Sequence, residues 1–149
     1  MNEYFIDIMR LAGQGYCCAQ IPVIMVQEIH HRQNIGLARA LSALCRGFPS
    51  TSGPCGALLG GACLLGYFAG KGAPGQEEHE RLPLMLEEYA TWFHSYCAEH
   101  HGGSNCNQIV KGDQPEPQTC CGIMAASYAK TLEILVENGF DPAEDPAGD

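Results

Sequence analysis

The chain has 149 residues, 46% of them hydrophobic, and 17 acidic side chains against 8 Lys and Arg give it a net charge of −9. That length makes one domain and buries a core without disulfide staples, and the apolar share belongs to a globular protein. An acidic balance with no cluster of Lys or Arg argues against nucleic acid and against an anionic membrane surface as partners.

In chain order, Tyr4, Phe5, Ile8 and Leu11 recur at helical spacing over 2–11, and Gly13 and Gly15 end the run. The opening stretch is acidic and mixed, without the basic and apolar regions of a secretory signal. A second helix is predicted from Cys17 or Cys18 to His31, with Pro22 in its first turns, where a missing N–H is tolerated. Asn34 reads as the N-cap of a third helix that ends at Arg46, with Gly47 just beyond.

The turn-rich stretch 48–54 feeds an apolar helix over 55–68. The apolar run around it is about 16 residues, short of the roughly 20 that span a bilayer, so a cytoplasmic protein with no membrane partner is expected. After the loop 70–76, a long helix is predicted over 77–100, with Pro83 in its first turns and Leu86, Tyr89, Phe93 and Tyr96 as its apolar stripe. A short helix begins near 104–106 and fades at Lys111 and Gly112. The loop 113–119 carries Pro115 and Pro117, and a last helix covers 120–138 before Gly139. No stretch alternates as a strand. The expected fold is therefore all-α, a compact bundle of about five to seven helices. It forms one domain over 1–140, with an acidic, disordered tail at 141–149.

Nine cysteines are the outlying count. In a reducing compartment so many thiols point to metal ligation or redox work. On the helix map, Cys18, Cys55, Cys106 and the pair Cys120 and Cys121 fall at four predicted helix starts. Unpaired N–H groups and the positive end of the helix dipole favour an anion there, which predicts a lowered thiol pKa and more thiolate. If the four starts meet, they form a first shell for an iron–sulfur cluster or for a tetrahedral thiolate metal site such as zinc. Gly56 and Gly60, after Cys55, leave room for a backbone or a cofactor. Cys45, Cys63 and Cys97 read as small hydrophobes inside helices, and Cys17 is open between the two roles. There is no Cys-x-x-Cys, so the zinc-ribbon, ferredoxin and thioredoxin spacings are absent.

A cysteine before an apolar helix, then Cys55-Gly56-Ala57-Leu58-Leu59-Gly60, then two later cysteines resembles the C_GCAxxG_C_C family of redox-active proteins. The resemblance runs from Gly15-Tyr16-Cys17-Cys18 to the last helix. By position it makes Cys18, Cys55, Cys106 and Cys120 or Cys121 the family's cysteines. It implies a redox role, and a related domain in split-Soret cytochromes implies an iron–sulfur centre. The chain departs from the family in its Ser-, Thr- and Pro-rich loop before Cys55 and in its doubled cysteines.

Other constellations compete. His94, Cys97 and His101 share one helix face and, with Cys106, could make a zinc site. The plainer reading is a polar fringe whose cations suit a helix C-terminus, and His30 and His31 read the same way. Glu77, Glu78 and Glu80 suit a helix start without catalysis, and no nucleophile elbow, P-loop or dinucleotide fingerprint is present. Three functions follow: an iron–sulfur or thiolate-metal electron carrier serving a redox partner protein, a metal-free thiol–disulfide redox protein, and a structural zinc or interaction module. The sequence leaves open whether the protein is an enzyme and whether it dimerises through the apolar helix.

Overall fold

A helix that is apolar on every side has to be surrounded by the rest of the chain, and the residues from Gly56 to Ala69 are glycine, alanine, leucine, cysteine, tyrosine and phenylalanine only. The computed structural model describes residues 2–112 and 116–146. Among the described residues there are seven helices: α1 (Phe5–Gly13), α2 (Ile21–Ile29), α3 (Ile35–Leu41), α4 (Gly56–Ala69), α5 (Leu82–His101), α6 (Cys106–Ile109) and α7 (Pro117–Glu137). A single 3-10 turn at Ser42–Leu44 extends α3. They form the all-α bundle that the sequence predicts. The apolar α4 lies at its centre, packed on α2, α5 and α7, while α1 closes the side between α7 and α2.

Tyr89, Phe93, Tyr128, Ile8, Leu64 and Leu65 are among the largest fully buried side chains. The buried stripe of α5 is Leu82, Met85, Tyr89, Phe93 and Cys97, so the predicted stripe is right at Tyr89 and Phe93, while its Leu86 and Tyr96 are only partly buried. By length and composition α7 could cross a membrane, yet its Ile123, Met124, Tyr128, Ile134 and Leu135 are buried and the helix packs against α1, α4 and α5.

Helix starts differ from the sequence reading, and proline is the main reason. Its fixed φ and missing N–H suit the first helical positions. Accordingly α5 begins at Leu82, with Pro83 next, and α7 begins at Pro117. The acidic residues Glu77, Glu78 and Glu80 therefore precede α5 rather than opening it, and Cys120 sits one turn inside α7. The third helix stops at Leu41 instead of Arg46: a 3-10 turn follows over Ser42–Leu44, Cys45 is extended, and Arg46 and Gly47 take positive φ (61° and 78°).

The regular part of α2 starts at Ile21, but its first turn is set earlier. The Ile21 N–H donates to the Cys17 carbonyl at 3.1 Å, and the Cys17 N–H donates to Gln20 Oε1 at 3.0 Å. Helices α4 and α5 run antiparallel. An isolated bridge between Pro54 and Asn105 joins one end of the pair, and the His79 N–H bonded to the Ala69 carbonyl (2.8 Å) joins the other.

The described part of the tail, 141–146, lies against the bundle, where the sequence suggested disorder. The Pro142 carbonyl meets Nε2 of the fully buried His30 at 2.8 Å, Asp145 pairs with Arg32, and Tyr67 donates to Asp145 Oδ1 at 3.4 Å. His30 as a partner for a carbonyl, and Arg32 and Tyr67 as partners for a carboxylate, are what the composition of the tail did not reveal. Residues 147–149, and 113–115 of the predicted proline loop, lie outside the described residues.

Candidate thiol site

Four of the predicted site cysteines come from four separate segments, and local backbone geometry brings them to one end of α4. Cys55 is the N-cap of α4 and Cys106 is the first residue of α6. The backbone stitches these two directly. The Cys55 N–H donates to the Ser104 carbonyl (2.9 Å), the Cys106 N–H to the Gly53 carbonyl (2.9 Å) and the Asn107 N–H to the Thr51 carbonyl (2.7 Å). Asn105 closes a capping box with Gln108, which fixes the short α6 that carries Cys106.

Cys18 arrives from the turn before α2. A Cβ added at Gly56 would fall on Cys18 Sγ and would also meet the Leu44 carbonyl oxygen at 3.3 Å and the Ala19 nitrogen at 3.4 Å. At Gly60 it would stand 2.8 Å from the Ala19 carbonyl oxygen. The two glycines predicted to admit a backbone or a cofactor admit the backbone of the 17–20 turn and its thiol. Cys120, on α7, lies within electrostatic reach of Cys18 and Cys106, and Cys55 within reach of Cys18, Cys97 and Cys120.

The expectation of lowered thiol pKa values is overturned at Cys55, Cys106, Cys120 and Cys121. Burial pushes Cys55 up to about 12, against a favourable Ala57 N–H, and the charges of Cys18, Cys97 and Cys120 add to the rise. Cys120 rises to about 11, from burial first and then from Cys18, Cys106 and Cys121. Cys106 is also raised, by burial and by Cys18, although Arg46 pulls the other way. A helix end offers a thiolate a few N–H groups. Desolvation and like-charge neighbours outweigh that help at Cys55, Cys106 and Cys120, so these three are neutral thiols at neutral pH in the metal-free site.

The doubled cysteines divide between two environments. Cys121, predicted as an alternative to Cys120, is only 1% exposed and belongs to the hydrophobic core. Cys17 is bonded to Cys45 in a disulfide with Cα atoms 6.0 Å apart, a separation ordinary for that bond, while Cys18 is free. Cys45 is thus a bonding partner rather than a core hydrophobe. Cys63 is partly buried and packs against the core. Cys97 is fully buried as predicted, yet it also stands beside Cys55. The sequence signal for this was its place four residues beyond Phe93, on the face that α5 turns to α4. Tyr89, on the same face, donates to the Ala57 carbonyl at 2.8 Å and anchors the first turn of α4 from inside.

The His94–Cys97–His101 zinc constellation does not form. His94 is exposed and bonded to Ser104 Oγ at 2.6 Å, whereas Cys97 is in the core, in line with Phe93 on the buried stripe of α5. Among the described residues no three His, Cys, Asp or Glu side chains gather closely enough to hold one metal ion. The four thiols influence one another's charge without converging on a single point. The donors are thiols throughout, the chemistry that both iron–sulfur clusters and zinc take.

An all-helical domain with a cluster of thiols at one end of a glycine-rich central helix defines a small cysteine-based redox protein. Residues 16–134 match the family described as "Putative redox-active protein (C_GCAxxG_C_C)", and the chain belongs to it. No curated protein and no solved structure matches the chain.

Proposed function

We propose that the protein is a cytoplasmic electron carrier in which Cys18, Cys55, Cys106 and Cys120 hold an iron–sulfur cluster, and that a redox partner protein exchanges electrons with it. The observation that carries this reading is that Cys18, Cys55, Cys106 and Cys120, from four segments distant in sequence, lie around the start of α4 with Cys18 within electrostatic reach of the other three. Such a cluster, when bound, supplies reversible electron transfer. The chain's own residues seat and tune the thiols: Gly56 makes room for Cys18, the Ala57 N–H favours negative charge on Cys55, and Arg46 does the same for Cys106. A mononuclear zinc module finds less support, for want of a tight ligand group among the described residues.

Protein purified without oxygen is expected to contain iron and sulfide and to absorb visible light. Cys120→Ser should lose both, and Cys121→Ser should keep them. A colourless, iron-free protein after reconstitution overturns the proposal.

A further inference from the structure

The second half of each cysteine doublet is not equivalent to the first, and the Cys17–Cys45 bond lies outside the four-thiol site while sharing its supports. Cys17 is joined by a peptide bond to Cys18. Cys45 follows the 3-10 turn whose last residue, Leu44, places its carbonyl over Gly56, in the same cradle that receives Cys18 Sγ. The disulfide therefore ties together the two segments that meet above Gly56.

Little else does so. Helix α3 buries only Leu41, and Gln20 Nε2 donating to the Ala38 carbonyl at 2.8 Å is the side-chain bond between these segments among the described residues. Both cysteines are partly exposed. Near them in the chain, Tyr16, Gln20, Ala38 and Ser42 help line a groove of about 560 Å³ between α1, α2 and α3.

We propose that Cys17 and Cys45 form a second redox site, a two-electron disulfide–dithiol couple reduced by a protein dithiol, and that its state sets how firmly Cys18 is held beside Cys55. A thiolate of the partner attacks one sulfur of the pair, the S–S bond breaks, and its electron pair leaves on the other sulfur, which takes up a proton. The partner's second thiolate then displaces the first cysteine from the mixed disulfide, and that sulfur is protonated in turn. The net change is two electrons and two protons gained by Cys17 and Cys45, and one disulfide gained by the partner. With the bond open, the 17–20 turn and the Ser42–Leu44 turn separate more readily, and Cys18 becomes accessible.

The test uses the full chain, metal-free, with reduced thioredoxin as the protein dithiol and alkylation read residue by residue by mass spectrometry. Trapped under denaturing conditions before reduction, seven of the nine cysteines should take the label, all but Cys17 and Cys45. After reduction all nine should do so. In the native protein, reduction should speed labelling of Cys18 about tenfold, as a local opening made easier would do. The Cys17→Ser, Cys45→Ser double variant should label Cys18 at the fast rate with or without thioredoxin.

Label on Cys17 and Cys45 before reduction overturns the proposal. So does a disulfide that thioredoxin leaves intact, or a Cys18 rate that reduction does not change. The wild-type measurements suffice if the variant does not fold. Because no iron takes part, a failure here leaves the cluster reading standing, and an iron-free protein leaves this one standing.

Discussion

The Cys18 sulfur occupies the space that a side chain on Gly56 would take. The glycine is therefore part of the thiol site even though it has no chemistry of its own, and a single added carbon there would displace the Cys18 sulfur.

Gly56→Ala is expected to destabilise the reduced protein by about 1–3 kcal/mol, the usual cost of forcing an extra group into a packed site, and to change the alkylation rate of Cys18. Gly66→Ala, in the same helix with nothing within 4 Å of the added carbon, should instead stabilise by about 0.5–1 kcal/mol through helix propensity. Urea denaturation of both variants checks the contrast. Equal effects would mean that Gly56 is not a seat for the thiol.

Alkaline pH should weaken the reduced, metal-free protein. Folding raises Cys55 from an ordinary value of 9.0 to about 12, and Cys120 and Cys97 to about 11. Above pH 9 the unfolded chain loses these protons first, so the folded state binds more protons and its stability falls as pH rises. The stabilisation is complete below pH 9 and is lost progressively toward pH 11–12. At pH 10 the loss for Cys55 alone is about 1 kcal/mol. Denaturation midpoints at pH 7.5 and pH 10, in wild type and Cys55→Ser, measure it, and the variant should show the smaller drop.

Cys45→Ser removes a cross-link between residues 28 apart in sequence. Without reductant the variant should be about 2–4 kcal/mol less stable than the oxidised wild type. With reductant present the two should converge, which separates the bond from the packing of the side chain.

Asn105→Ala opens the capping box at the start of α6. The expected cost is about 1 kcal/mol. Cys106, the residue that α6 carries, should be alkylated faster, while Cys63, on the far part of α4, should not change. Labelling rates of these two cysteines decide the matter.

The helical class and the central place of α4 were legible because its apolar residues leave no polar face, and the cysteines of interest stood near helix starts. The registers were less legible. Whether Cys120 or Cys121 faces the site depends on where α7 begins, and Pro117 moved that start by one turn. The pairing of Cys17 with Cys45 depends on the chain leaving the α-helix at Leu41 for a 3-10 turn and an extended Cys45, which the helical spacing did not display. The pKa direction failed for a different reason: a sequence displays the helix end, whereas desolvation and the charges of neighbouring thiols exist only once the segments have met. The resemblance to the family carried the redox reading further than spacing alone could, since no Cys-x-x-Cys marks the site.

The antiparallel course of α4 and α5 also divides the protein into a working end and a spare one. The 14 residues of α4 place the 70–76 loop about 20 Å from Cys55, and residues 71–76 are exposed. New chain termini or a grafted reporter domain should be accepted there, which makes this loop the natural place to attach a label or a surface tether without disturbing the thiols.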